Sequence, residues 1–139
     1  MNSVKSVVYV RETDLDPAEF RCVLLESGLA RPTDDLPRLG EMLRGADLVV
    51  TARFDRADRK LIGIARCITD FSWCCYLSEL AVSKEAQGLG VGKGLIDETR
   101  RQLGPRVSLI LASMPDAVGF YDRIGMPRMP DAYYFKRER

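Results

Sequence analysis

The run Ser78-Glu79-Leu80-Ala81-Val82-Ser83-Lys84-Glu85-Ala86-Gln87-Gly88-Leu89-Gly90-Val91-Gly92-Lys93 sets a carboxylate in an apolar stretch and then three alternating glycines before a helical pattern. Glycines there leave backbone N–H groups uncovered, so an anion can approach the positive end of a helix. A phosphate or pyrophosphate fits that physics. Two nucleotide loops share the look, and neither fits. A Walker A loop ending at Gly92-Lys93 needs glycine at position 87 and Ser or Thr at 94, where Gln87 and Gly94 stand. A dinucleotide Gly-x-Gly-x-x-Gly begun at Gly88, Gly90 or Gly92 needs glycine where Lys93, Leu95 and Asp97 stand.

The chain has 139 residues and no histidine. Ser-His-Asp and Cys-His catalysis and every histidine metal site are therefore excluded, and no metal is expected. An acid or base must be a carboxylate, Lys, Tyr or Cys. The cysteines Cys22, Cys67, Cys74 and Cys75 lack Cys-x-x-Cys spacing and read as buried, reduced thiols. With 21 Lys+Arg against 20 Asp+Glu the net charge is +1, so no overall field draws the chain to nucleic acid or to an anionic membrane. Met1 to Lys5 lacks the long apolar region of a signal peptide, and no apolar run approaches the ~20 residues of a membrane span. A single domain over 1–139 in the cytoplasm is expected.

The elements that must hold these residues follow from periodicity. Val7, Val8 and Val10 make a strand up to Arg11, and Asp14, Asp16 and Pro17 start a helix carrying Phe20, Val23 and Leu24 on one stripe until Gly28. Asp34 or Asp35 caps a second short helix with Leu39, Met42 and Leu43 inward, ending at Gly45. Leu48 to Phe54, Leu61 to Thr69 and Cys74 to Val82 read as three consecutive strands joined by polar turns, hence an antiparallel meander. A helix from about Gly92 to Leu103, a strand from Arg106 to Ala112, a helix with Ala117, Phe120, Tyr121 and Ile124 on one face, and a closing strand from Ala132 to Lys136 complete the chain. The predicted fold class is α+β, a mixed and mainly antiparallel sheet with one internal parallel pair, in the order β-αα-βββ-α-β-α-β.

Gln87-Gly88-Leu89-Gly90-Val91-Gly92, preceded by Leu80-Ala81-Val82 on a strand, resembles the Gln-x-x-Gly-x-Gly signature of the GNAT superfamily of acyl-CoA-dependent N-acyltransferases. Ala117-Val118-Gly119-Phe120-Tyr121-Asp122-Arg123-Ile124-Gly125-Met126 is similar to that family's second motif, Ala-x-x-Phe-Tyr-x-x-x-Gly-Phe. The resemblance implies a V-shaped cleft where the fourth strand and the strand after the crossover splay apart. Acetyl-CoA is the implied acyl donor. Backbone groups around Leu80, Ala81 and Val82 would pair with its pantetheine arm. Its pyrophosphate would sit on the N–H groups of Gln87, Gly88, Leu89, Gly90, Val91 and Gly92, with Lys93 adding charge and Phe120 beside the cofactor. The family's usual pantetheine-binding Asn is Met114 here, and Ser113 or Asp116 is the candidate substitute.

Transfer to an amine needs a neutral nucleophile, a held oxyanion and a proton for the departing thiolate. An alkyl ammonium with a pKa of ~10.4 is mostly protonated at pH 7, so a carboxylate base, direct or through water, is useful. Glu79 is the candidate, on the face of its strand opposite Leu80 and Val82. A solvated carboxylate on a half-exposed strand is its competing reading. Tyr121 matches the family's proton donor; one position in an apolar stripe is the alternative. A strand N–H at Leu80 or its neighbour would hold the oxyanion. The sequence thus points to an N-acetyltransferase acting on a primary amine by direct attack in a ternary complex. A CoA-binding regulatory or interaction module is the alternative. Choice of the acceptor, a small-molecule or peptide amine, falls to the N-terminal helices and their loop from Leu29 to Gly45 and to the last hairpin, and family habit with an exposed sheet edge suggests a homodimer.

Overall fold

The computed structural model describes residues 6–139; the Met1 to Lys5 segment read above for a signal peptide lies outside the described residues. Strand β1 (Val7–Arg11) leads to helices α1 (Pro17–Ser27) and α2 (Leu36–Gly45), then to strands β2 (Leu48–Phe54), β3 (Leu61–Thr69) and β4 (Cys74–Val82). Helix α3 (Val91–Leu103), strand β5 (Ser108–Ile110) and helix α4 (Val118–Arg123) follow, with 3-10 turns at Lys84–Ala86 and Pro115–Ala117. The helices begin and end where their caps dictate. Asp16 accepts from the Ala18 N–H at 2.9 Å, Asp35 accepts from the Arg38 N–H at 3.1 Å, and Gly28 closes α1 at φ 78° with its N–H on Leu24 and Leu25 carbonyls.

The sheet runs β1-β2-β3-β4-β5, antiparallel throughout except for the parallel β4/β5 pair formed by the α3 crossover. The α+β class with one parallel pair is therefore observed, but the pair expected inside the sheet stands at its edge, because β5 is the last strand among the described residues. One face buries Val50, Ile62, Cys67, Leu77 and Leu95 beneath α3 and α4. The other buries Phe20, Leu24, Leu39 and Ile64 beneath α1 and α2. No helix among the described residues is long and apolar enough to cross a membrane.

Two expected strands differ. The strand expected over Arg106 to Ala112 shrinks to Ser108–Ile110, because β5 pairs with β4 only at Cys74, Cys75 and Tyr76 and then departs. The closing strand expected over Ala132 to Lys136 does not form: the segment finds no ladder, and Tyr133, Tyr134 and Phe135 stand 97%, 74% and 105% exposed.

Glycines set how closely α3 lies on the sheet. A Cβ at Gly94 would fall 2.3 Å from the Tyr9 hydroxyl of β1 and 2.4 Å from its ring. Gly94→Ala is expected to force the Tyr9 ring aside and cost about 1–3 kcal/mol, read as a lower midpoint in urea with an unchanged slope.

Candidate active site

The departure of β5 leaves β4 with a bare edge. In antiparallel pairing, residues alternate between exchanging hydrogen bonds with the neighbour and turning them outward. The Ser83 N–H donates to the Ile62 carbonyl at 2.8 Å, which fixes the phase. Two residues earlier, Ala81 stands opposite Ile64 and also turns its backbone to β3. Leu80 and Val82, opposite Ala65 and Gly63, turn theirs the other way, toward the side β5 has left. Their side chains pack on the α3 face, while Ala81 is buried against the α1 face. These are unsatisfied strand donors and acceptors beside an opening, as an extended amide chain requires.

A bulge marks the same place. Arg66 pairs with Glu79 and Cys67 with Leu77, so Ser78 is an extra residue in β4. The bulge turns Glu79 and Ala81 to the α1/α2 face and Leu80 and Val82 to the other, the disposition expected from alternation.

Ser83 then caps the turn Lys84–Ala86, its Oγ accepting from the Glu85 N–H at 3.3 Å. Gln87, Gly88, Leu89 and Gly90 are exposed. Gly88 and Gly90 hold φ of 84° and 74°, a region that L side chains rarely enter, and open space surrounds the place of each missing Cβ. Helix α3 begins at Gly90 with no side-chain cap; the Gly94 N–H bonds the Gly90 carbonyl, which leaves the N–H groups of Val91, Gly92 and Lys93 without intrahelical partners. An uncapped helix start flanked by bare backbone fits a phosphate. Gly92 has a different reason to be glycine. Its missing Cβ would lie 2.9 Å from the Phe120 ring, so glycine at this position makes room for the second motif while its N–H stays bare. Lys93 is exposed with its Nζ 2.7 Å from Asp97, one turn on, so its charge at this loop is shared with a carboxylate.

Gly90→Asp tests the cradle without crowding it, since Asp and Asn are the side chains that best tolerate this backbone region. It is expected to weaken CoA binding about 10–100-fold by calorimetry, whereas neutral, isosteric Gly90→Asn loses clearly less.

Glu79 is not the solvated carboxylate of the competing reading, nor a free base at an opening. It is 2% exposed. Arg66 forms a close ion pair with its Oε1; Arg31 Nε donates to Oε2 at 2.7 Å and Ser78 Oγ at 2.8 Å. Arg66 continues to the Met42 carbonyl at 2.9 Å and Arg31 to the Ser78 carbonyl at 2.8 Å. Burial pushes the Glu79 pKa up, but Arg66 first and then Arg31 and Ser78 outweigh it and hold the carboxyl below its ordinary value. A base so stabilised in its ionised form is weak. Neither arginine was singled out from the sequence, yet a lone Arg66 within Leu-Ile-Gly-Ile-Ala-Arg-Cys-Ile already demanded a buried counter-charge.

Tyr121 and Phe120 project from α4, edge to face at 5.0 Å between centroids and 77° between planes. Both pack on the α3-side core, and burial raises the Tyr121 pKa. Its hydroxyl has no hydrogen-bond partner among the described residues. Ser113 and Asp116 are exposed, and the Ser113 hydroxyl donates to the Met114 carbonyl at 2.8 Å. Of the thiols expected to be buried, Cys67 and Cys75 are, whereas Cys22 is exposed on α1 and Cys74 is exposed where β4 and β5 are still zipped. Among the described residues no group of three or more Cys, Asp or Glu gathers as a metal site.

The family model for an acetyltransferase (GNAT) domain matches residues 39–136. The chain belongs to the GNAT acetyltransferase family. The span covers the β4 bulge, the glycine loop, α4 and the aromatic segment that follows it. The uncharacterized N-acetyltransferase ycf52 of Pyropia yezoensis is 35% identical over 77 residues, which is 54% of this chain and 44% of the relative. This GNAT chain spans less than half the length of the curated relatives it matches. A crystal structure from Deinococcus radiodurans R1, assigned as an acetyltransferase, superposes with a TM-score of 0.76 at 25% identity, covering 99% of this chain and 92% of its own. A GNAT family N-acetyltransferase of Escherichia coli, solved with CoA, shares the fold at a TM-score of 0.69 and 17% identity, over 90% of this chain and 71% of its own.

Proposed function

We propose that this GNAT chain acts as one N-acetyltransferase domain that moves an acetyl group from acetyl-CoA to a primary amine by direct attack in a ternary complex, as a homodimer in the cytoplasm. The bare β4 edge at Leu80 and Val82, set beside the uncapped start of α3, carries this reading. It supplies peptide-like hydrogen bonds and a phosphate site in the order that a pantetheine pyrophosphate needs. Gln87 to Lys93 would take the phosphates, Leu80 and Val82 the amide arm, with Ala81 between them spent on the β3 ladder, and Ser113 or Asp116 its flank. Phe120 fixes the wall by filling the space Gly92 leaves.

Tyr121 is the proton donor in this proposal. The neutral amine attacks the thioester carbonyl, the C–S bond breaks, the phenol gives its proton to the departing thiolate, and the proton that the amine nitrogen sheds passes through solvent to restore the phenol. A phenol pushed above its ordinary ~10 stays protonated at neutral pH, and a thiolate of pKa ~8.5 receives its proton only mildly uphill. The Leu80 N–H on the bare edge would hold the carbonyl oxygen as charge develops. Glu79 becomes a positioning residue: through Arg31 it ties the loop between α1 and α2, the acceptor side, to the β4 bulge. Direct contact of Glu79 with an amine would require Arg31 to leave. Four unpaired thiols support a reducing compartment.

Calorimetry with CoA and acetyl-CoA is the first test, with micromolar binding expected. Thiol release across a panel of amines then reads turnover. A folded chain that binds neither overturns the proposal; binding without release on any amine favours the regulatory module instead.

A further inference from the structure

The end of helix α1 holds β4 on either side of its bare edge. Arg31, just past the helix, takes the bulge through the Ser78 carbonyl and the Glu79 carboxylate. Glu26, in the last turn of α1, takes the point where β4 ends: the Ser83 Oγ donates its only proton to Glu26 Oε1 at 2.7 Å. Ser83 is 1% exposed, its N–H is spent on the Ile62 carbonyl and its carbonyl on the Ala86 N–H. Every polar atom of Ser83 is thus fixed, and its Oγ also caps the turn that feeds the glycine loop.

Lys60, at the start of β3, closes the arrangement. Its Nζ lies 3.2 Å from Glu26 Oε2 and 2.6 Å from Glu85 Oε1, so one ammonium joins α1 to the turn Lys84–Ala86. Beyond that turn little holds the loop. The Gln87 side chain has no hydrogen-bond partner among the described residues, and Gln87 to Gly90 are exposed. The place of the loop's N–H groups is therefore set from its two ends, by α3 with Val91 and Leu95 buried, and by the turn that Ser83 caps. Gly88 and Gly90, at positive φ between those ends, supply no stiffness of their own. A loop held in its binding shape in advance loses less entropy when a ligand arrives.

We infer that Glu26 is a positioning residue for the acyl donor, holding the phosphate loop in its binding shape through Ser83 and Lys60 without touching donor or acceptor. The inference rests on the acetyl-CoA reading and adds to it a carboxylate 57 positions before the serine it holds. Glu26 also precedes the residues that the family model matches.

Calorimetry with CoA, paired with hydrogen exchange on the ligand-free chain, tests it. Glu26→Ala removes both the acceptor for Ser83 and a partner of Lys60, and is expected to weaken CoA binding about tenfold. Glu26→Gln keeps an oxygen for the Ser83 hydroxyl and should recover part of that loss; Lys60→Met should lose about threefold. The Glu26 and Lys60 side chains are 36% and 32% exposed, so both variants should fold. Exchange should quicken from Glu85 to Lys93 in Glu26→Ala and stay unchanged in β2 and β3. On any amine that gives turnover, the KM for acetyl-CoA should rise with the Kd while kcat at saturation holds within about twofold. Wild-type CoA affinity in folded Glu26→Ala overturns the inference while the acetyl-CoA reading stands. Weaker binding with exchange quickened throughout the sheet marks a general loss of stability and overturns it as well. A folded wild type that binds no CoA overturns the acetyl-CoA reading and this inference together.

Discussion

Tyr121→Phe is expected to lower kcat about 10²–10³-fold, the range of a lost general acid, while leaving the calorimetric affinity for acetyl-CoA near the wild-type value. The geometry separates the two effects. The ring lies edge-on to Phe120 and packs on the α3-side core, and phenylalanine keeps every one of those contacts. Only the hydroxyl goes, and that hydroxyl holds no other group among the described residues, so thermal stability should not move. The pH profile gives a second readout. Burial raises the Tyr121 pKa above its ordinary 10.0, so the acid form persists through neutral pH and is lost only in strong alkali. Wild-type kcat should therefore fall on an alkaline limb above pH 10 that the variant lacks. Equal turnover by the two proteins would return Tyr121 to a place in an apolar stripe.

Glu79→Gln is expected to cost about 3–5 kcal/mol of stability, because it leaves Arg66 and Arg31 at a buried site with no counter-charge. The side chains of Arg66 and Glu79 are 9% and 1% exposed, so water does little to compensate. For a chain of this length the loss corresponds to roughly 10 °C or more in Tm. Arg31→Gln, at a side chain 22% exposed, should cost about 1–2 kcal/mol, and replacing the buried pair by apolar residues, Arg66→Met with Glu79→Leu, should recover much of the loss. The acid limb carries the sign. A carboxyl held below its ordinary 4.5 in the folded state contributes stability that is fully present above that value and lost as pH falls through the folded one. Wild type should thus lose stability more steeply than Glu79→Gln below about pH 4.5. Activity lost in proportion to folded protein marks a positioning residue. A shifted pH profile in a fully folded variant would mark a base.

Much was legible in the sequence because it is written in short-range patterns. Gln87 to Gly92, the Phe120-Tyr121 pair, the capped helices and the three-strand meander are read from residues within a few positions of one another, where periodicity and capping chemistry act. The absence of histidine fixed the available acids and bases outright. Alternation even gave the correct face for Glu79. The rest required the tertiary structure, since it depends on residues far apart in the chain. Arg31 and Arg66 reach Glu79 across 48 and 13 positions, and together they convert a candidate base into a buried counter-ion. At Gly92 the absence of a side chain also admits the ring of Phe120 from a later helix, a contact no local pattern shows. The closing strand was drawn from composition, which says that Tyr133 to Phe135 favours extended backbone and says nothing about which edge it meets. A helix carries its hydrogen bonds within itself; a strand's partner is a distant segment, and here β5 turns away from β4 after three residues. Local chemistry thus determined the family's motifs, and long-range packing decided which of their residues stand free to act.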